Sequence, residues 1–297
     1  MLHPITFSIP EEKVISHVPQ KTKILAHIIP GKLDTYIFNN EADYYTDYRQ
    51  SMFAMTTKKA GWDCMRHYEI LANGTIPFFP DIEECPPNTM FLYPKKLQLQ
   101  GNKMYEKLKQ KDFDELTVKE MAEYYKLASR FLMHTKAFLT TTNLAKYILM
   151  QTNNINVNSV LYLSEDMNPD YLRCLTLHGF KTIFGDSCHD YPKVQHLYKS
   201  DIDYASSPHY GRGFTYSKLL DNSLHKSTND ASIEEDIKSK KYDIVIYGSY
   251  HRGMPYYDLV MSIYDPVDVI IMCGEDEHQC SHNDFIRKGH HFFLREL

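Results

Sequence analysis

The sequence predicts an α/β protein built from two Rossmann-like units, and three observations lead there. In the second half, short apolar runs of buried-strand type alternate with helical segments. In the first half strand-like and helix-like segments are also mixed. Between the halves the polar, turn-rich stretch "QTNNINVNS" interrupts a long helical pattern and places a boundary at residues 152–158. A chain of 297 residues is long enough for the two units this implies, 1–152 and 153–297.

Taken in chain order, "TKILAHII", "LDTYIFN" and "SMFAMTT" read as strands of the first unit. In "KAGWDCMRHYEILANGTIPFFPDIEECP", Asp63 is the expected N-cap of a short helix over 64–73. Gly74 is its left-handed stop, and "TIPFFP" is the strand that follows. Residues 117–151 carry helix formers with apolar positions every three or four residues. Beyond the boundary, "SVLYLSED" is a strand, and "NPDYLRCLTLHGF" a helix with Pro169 early and Gly179 at its end. "KTIFGDS" is read as a second strand. "KKYDIVIYGS" and "DPVDVIIMCGED" are strands separated by the helical "MPYYDLVMSIY", and "STNDASIEEDIKSKK" is a surface loop entering a helix.

Composition narrows the function. The 43% hydrophobic and 24% charged residues describe a folded chain rather than a disordered one. A net charge of −5 offers no general attraction for nucleic acid or an anionic membrane, so any phosphate site must be local. The 23 tyrosines supply flat rings with hydroxyls, suited to sugar faces and equally to cores. "MLHPITFSIPEEKV" lacks the basic start and apolar core of a secretory signal, and no apolar run has membrane-spanning length, so a cytoplasmic chain without a membrane span is expected. The six cysteines show no disulfide-scaffold spacing, which suits a reducing compartment.

The chemistry concentrates in the helix after Asp63. Arg66 and Glu69 are three residues apart and share a helix face. Arg66 near a helix N-terminus, with Lys58 and Lys59 upstream, suits a diphosphate, and Glu69 suits a pair of ribose hydroxyls. The bland alternative is a surface ion pair between them, with Trp62 and Tyr68 in the core. Strand-end loops of the second unit offer Glu165, Asp166, Asp186, His251, Arg252, Glu275 and Asp276. "HYGRGFTY", with Tyr210, Arg212 and Phe214, is a candidate acceptor loop. "CGEDEHQCSH" matches no familiar structural zinc spacing, and "DID" at residues 201–203 is too short to carry a metal site. No metal is therefore expected. The "NGT" sequon at Asn73 falls at the end of the predicted helix and is discounted.

The segment "GWDCMRHYEILANGTIPFFPDIEECP" resembles the signature of exostosin-like glycosyltransferases, and the chain is similar to glycosyltransferases of large DNA viruses that infect algae, including the chlorovirus group. The strongest similarity spans about residues 50–97. "YGSYHRGMPYYDL", "CGEDEH" and "GHHFFLREL" extend it more loosely. The resemblance implies that Arg66 faces the diphosphate of a nucleotide-sugar donor and Glu69 its ribose or sugar, while Gly74 and Pro77 shape the turn and strand behind them. It further implies a fold of the two-domain GT-B type, with the donor domain first in the chain, the reverse of the familiar order.

That reversal blocks any transfer of a catalytic base from the family. A base must be argued from chemistry, as a carboxylate or imidazole able to take a proton from the acceptor hydroxyl. Candidates are Glu165 and Asp166 after the first strand of the second half, and Glu275, Asp276 and His278 after the last. His251 and Arg252 are expected near the donor phosphates. The expected partners are a nucleotide sugar, UDP-linked and by association xylose, and a glycan acceptor of viral glycoprotein synthesis. Arg66, the lysines and the helix terminus would neutralise the leaving group in place of a metal. Two readings compete: an S-adenosylmethionine-dependent methyltransferase, opposed by the missing Gly-rich turn after "SVLYLSED", and a noncatalytic carbohydrate-binding protein.

Overall fold

The computed structural model describes residues 1–166, 168–202, 209–276 and 280–297. Its elements in chain order are β1 (Leu2–Pro4), β2 (Lys23–Leu25), α1 (Glu41–Gln50), β3 (Ser51–Met55), α2 (Met65–Ala72), β4 (Ile76–Phe78), α3 (Lys95–Leu108), α4 (Val118–Phe138) and α5 (Thr141–Gln151). There follow β5 (Val160–Leu163), α6 (Tyr171–Phe184), β6 (Cys188–Tyr191), α7 (Ser227–Ala231), α8 (Ile233–Lys238), β7 (Ile244–Tyr247), α9 (Tyr257–Ile263), β8 (Val269–Cys273), α10 (His282–Arg287) and β9 (His291–Leu294).

Two parallel sheets result. One has three strands in the order β2-β3-β4, and the other has six in the order β1-β9-β8-β7-β5-β6. Strands β5, β7 and β8 are buried along their whole length, as their unbroken apolar runs require in a parallel sheet covered on both faces. In the larger sheet β6 lies on one side of β5, while β7, β8 and β9 follow on the other. The order therefore reverses between β5 and β7, and the crevice at the carboxyl ends of these two strands is the place where such sheets accept ligands.

Both ends of the chain belong to the larger sheet. Leu2, His3 and Pro4 of β1 pair with Phe292, Phe293 and Leu294 of β9. Buried apolar residues from both halves, among them Phe53, Phe131, Leu172 and Ile270, form a single continuous cluster. The longest helix, α4, begins with a capping box in which the Thr117 hydroxyl accepts from the Glu120 amide and the Glu120 carboxylate from the Thr117 amide.

Several expectations are corrected. "KTIFGDS" is not a strand, because α6 runs on to Phe184 and stops at Gly185, which has φ of 57°. Gly179 is a contact residue inside α6 rather than its end: a Cβ there would lie 2.2 Å from the Thr141 carbonyl oxygen of α5. The second strand is the more polar "CHDY" of β6. "LDTYIFN" is no strand either. It forms a 3-10 turn at Leu33–Thr35, tied by the Thr35 hydroxyl to the Ile29 and Lys32 carbonyls. Asp63 does not cap α2; the N-cap is Cys64, and the Asp63 carboxylate accepts instead from the Phe7 amide (2.6 Å) and the Tyr68 hydroxyl (2.7 Å). Finally, Cys273 and Cys280 are bonded to each other, a pairing that spacing alone did not reveal.

Candidate functional site

The carboxyl ends of strands from both sheets open onto one cavity of about 690 Å³. From the smaller sheet, Ile28, Tyr36 and Phe38 follow β2, Tyr44 comes from α1, and Lys59, Ala60 and Asp63 lead from β3 into α2. From the larger sheet, Phe7 follows β1, Asp170 and Tyr171 follow β5, and Arg252 follows β7. Glu275 and Asp276 follow β8, and Arg295 follows β9.

The helix carrying the sequence motif forms one wall. Arg66 lies in the first turn of α2, which no side chain caps. Its Nη2 donates to the Tyr36 hydroxyl at 3.0 Å, and its Nη1 is buried without a hydrogen-bond partner among the described residues. Arg66 and Glu69 do not form the ion pair that their spacing allowed. Glu69, buried one turn on, accepts from the Tyr44 hydroxyl at 2.7 Å and the Thr215 hydroxyl at 2.5 Å. Burial raises its carboxyl above the ordinary range. An ionised carboxylate has about four lone-pair sites, so Glu69 keeps acceptor capacity beyond these two bonds. Burial and the neighbouring Asp63 push the Cys64 thiol up to about 11, which leaves it protonated and a poor nucleophile.

The opposite wall is a set of strand-end loops. Arg252 Nη1 donates to Asp166 at 3.2 Å and Nη2 to the Pro169 carbonyl at 3.3 Å, while its Nε is buried without a hydrogen bond among the described residues, 3.7 Å from Asp170. Its own carbonyl accepts from the amides of Glu165 and Asp166, joining the loops after β5 and β7 at the crevice. Glu275 lines the cavity and makes no hydrogen bond or ion pair among the described residues. Asp276 is committed to Arg295.

Arg295 ties the two walls together. Fully buried, it donates to the Asp63 carbonyl (2.6 Å), the Gly274 carbonyl (2.8 Å), Glu296 (2.7 Å) and Asp276. The Glu296 carboxylate accepts from the amides of Trp62 (3.0 Å) and Asp63 (3.1 Å). Gly61 makes room for this clasp, because a Cβ there would lie 2.5 Å from the Glu296 carboxylate. Burial pushes the Asp63 carboxyl up to about 6 against the opposing pull of Arg295. The "HYGRGFTY" segment closes the side of the cleft. Arg212 reaches Asn39 at 2.6 Å, and the Thr215 amide donates to Glu41 at 2.6 Å.

The structure thus brings Lys59, Arg66, Glu69, Arg252, Glu275, Asp276, Tyr210, Arg212 and Phe214 to one cavity. Other candidates lie elsewhere. Lys58 sits over the Trp62 ring at 4.9 Å, and Gly74 packs behind α2 against Ile15 and Pro19. Glu165 and Asp166 do not line the cavity, although Asp166 holds Arg252, which does. Asp186 pairs with Lys226 at the far end of α6. His251 lies beside the Cys273–Cys280 bond, its Nε2 at 3.3 and 3.4 Å from the two sulfurs. His278 and Asp203 are outside the described residues. Asn73 is fully buried and bonded to Arg49, which closes the sequon to modification.

Asp170, Tyr36, Tyr44, Tyr171 and Arg295 line the cavity without having been singled out in the sequence, and Asp63, expected only as a helix cap, lines it too. Asp170, early in a predicted helix, carried a local signal, and it caps α6 by accepting from the Arg173 amide. For metals, among the described residues three groups have the right atoms within reach: His251 with Cys273 and Cys280, His189 with His225 and Asp230, and Glu11 with Glu12 and His178. None of them lines the cavity.

No protein-family model, curated protein or solved structure matches the chain.

Proposed function

We propose that the chain is a glycosyltransferase that binds a nucleotide diphosphate sugar in this cleft. The observation that carries the reading is Arg66. It is a guanidinium in the first turn of an uncapped helix, lining a cleft at strand carboxyl ends and retaining an unsatisfied N–H. A diphosphate supplies the acceptor oxygens that such a donor lacks. Glu69 on the same helix is the acceptor for ribose or sugar hydroxyls, and Lys59 and Arg252 add positive charge around the leaving group. The tyrosine-rich lining, with Tyr36, Tyr44, Tyr171 and Tyr210, suits a base or a sugar face.

In this reading the two sheets are donor and acceptor units of a GT-B-like fold, with the donor unit first in the chain, the reverse of the familiar order. The donor is UDP-linked, with xylose the first sugar to try, and the acceptor is a glycan. Glu275 is the general base. Among the described residues it is a cavity carboxylate without a hydrogen bond or ion pair, whereas Asp276 is neutralised by Arg295. Arg66, Lys59 and Arg252 stabilise the departing diphosphate.

The test is release of nucleoside diphosphate from a panel of nucleotide sugars offered with simple glycan acceptors. Turnover with one donor, abolished in Glu275→Gln while donor binding persists, supports the assignment. Wild-type turnover in Glu275→Gln removes Glu275 as the base. Methyl transfer from S-adenosylmethionine in place of sugar transfer would overturn the reading.

A further inference from the structure

Away from the cleft, at the edge strand β6, ionisable side chains converge. His189 of β6 and Asp230 of α7 place Nε2 and Oδ1 3.0 Å apart, and neither atom makes a hydrogen bond among the described residues, although both are buried. His225 stacks on His189 with ring centroids 5.1 Å apart and brings its own Nε2 to 3.1 Å from the other Asp230 oxygen. The ligand atoms of the three residues lie within 4.8 Å of one another.

Behind His225 stands Asp190, fully buried, whose Oδ1 is 3.0 Å from His225 Nδ1. The same oxygen accepts from the Tyr198 hydroxyl at 2.6 Å and pairs with Lys181 at 2.9 Å, so the carboxylate is fixed in place. A carboxylate on Nδ1 selects the tautomer that leaves Nε2 with a lone pair, an arrangement that recurs behind metal-binding histidines. Without a metal, a proton on His225 Nε2 bridges it to Asp230 Oδ2 at 3.1 Å; in the tautomer with a free Nε2 lone pair, a cation takes the place of that proton.

We infer that His189, His225 and Asp230 form a site for a divalent transition-metal ion of the zinc type, oriented by Asp190. Two imidazole nitrogens and one carboxylate oxygen are a ligand set that zinc takes, with bonds of about 2.0–2.2 Å, which put neighbouring ligand atoms about 3.4 Å apart in a tetrahedron. His189 Nε2 lies 3.0 Å from Asp230 Oδ1 and His225 Nε2 lies 3.1 Å from Asp230 Oδ2, and with all three ligand atoms within 4.8 Å of one another, side-chain rotation is what brings two nitrogens and one oxygen to tetrahedral spacing. Asp230 is partly exposed, so water can reach the fourth position. The site joins β6 to the segment carrying His225 and α7, and its role is structural, since it lies away from the cleft.

The test is zinc content and cobalt substitution on the whole chain, purified without a histidine tag. Expected is about one equivalent of zinc per chain, removed by a chelator, with restored metal raising the unfolding temperature. Cobalt should give the visible absorption of a tetrahedral centre. Asp230→Asn and His189→Gln should each weaken zinc binding by about tenfold or more. Asp230→Asn alters only a partly exposed side chain, so it is the decisive variant should a histidine substitution fail to fold. Two results would overturn the inference: no zinc uptake by the folded protein, or uptake that survives Asp230→Asn and His189→Gln but is lost in His251→Ala, which would move the ion to the cysteine pair.

Discussion

The two walls of the cleft are built on different principles. On the motif wall, Glu69, Tyr44, Tyr45 and Thr215 are buried and bonded to one another, and the Arg66 Nη1 group has no hydrogen-bond partner among the described residues. On the strand-end wall, Asp166, Glu275 and Asp276 are at least partly exposed, and of these three Glu275 makes no hydrogen bond or ion pair among the described residues. A preorganised wall with a surplus donor is suited to holding an anion. A looser wall with a free carboxylate is suited to moving a proton.

The clasp between the walls is where this comparison breaks most visibly. Arg295→Ala leaves the Asp63 carbonyl, Glu296 and Asp276 without their shared cation, and breaking a buried pair of this kind costs about 3–5 kcal/mol. Chemical denaturation should show that loss. A variant as stable as wild type would mean that the walls are held together by apolar contacts alone.

Next in size is the motif wall's ligand term. Arg66→Ala should weaken nucleoside diphosphate binding by about tenfold to a hundredfold, the worth of a charge-assisted hydrogen bond, measured by calorimetry. Its stability should change little, because among the described residues Arg66 donates a hydrogen bond to Tyr36 alone.

A finer test concerns the floor of that wall. Lys21 is buried beneath the smaller sheet, where its ammonium donates to the Arg49 carbonyl (3.0 Å) and the Thr75 hydroxyl (3.2 Å), and burial lowers its pKa to about 7. Between about pH 7 and the unfolded value near 10.4, the unfolded chain holds a proton that the folded chain has released. This term therefore stabilises the fold increasingly as pH rises through that window, and it is lost as pH falls towards 7. The stability difference between wild type and Lys21→Met should grow in favour of wild type from pH 7 to pH 10. A difference independent of pH would show that Lys21 does not titrate there.

The smallest effect belongs to the strand-end wall. Asp166→Ala removes a partly exposed partner of Arg252 and should cost less than about 1 kcal/mol in denaturation. A larger loss would show that this wall is as tightly built as the other.

The same contrast explains what the sequence disclosed. Arg66, Glu69 and Gly74 were legible because a short helix and its stop are local, and β5, β7 and β8 because buried parallel strands are unbroken apolar runs. Arg295 and Asp63 were not, since they meet only when the chain's last strand closes the larger sheet, 232 residues away. Strand β6 was hidden because its inner positions are His189 and Asp190, committed to a polar cluster rather than an apolar core. Helix α1 carried a signal that went unread: Asn40 caps it by accepting from the Asp43 amide, and Tyr44, Tyr45 and Tyr48 supply its buried face.

The most direct test of the central claim is thermal unfolding of wild type and Arg66→Ala with saturating UDP and the other nucleoside diphosphates, since a ligand bound only to the folded state raises its stability. The cleft described here predicts a rise in unfolding temperature for wild type with one nucleotide, absent or strongly reduced in Arg66→Ala. No rise with any nucleotide, or an equal rise in both proteins, would contradict a donor site at α2.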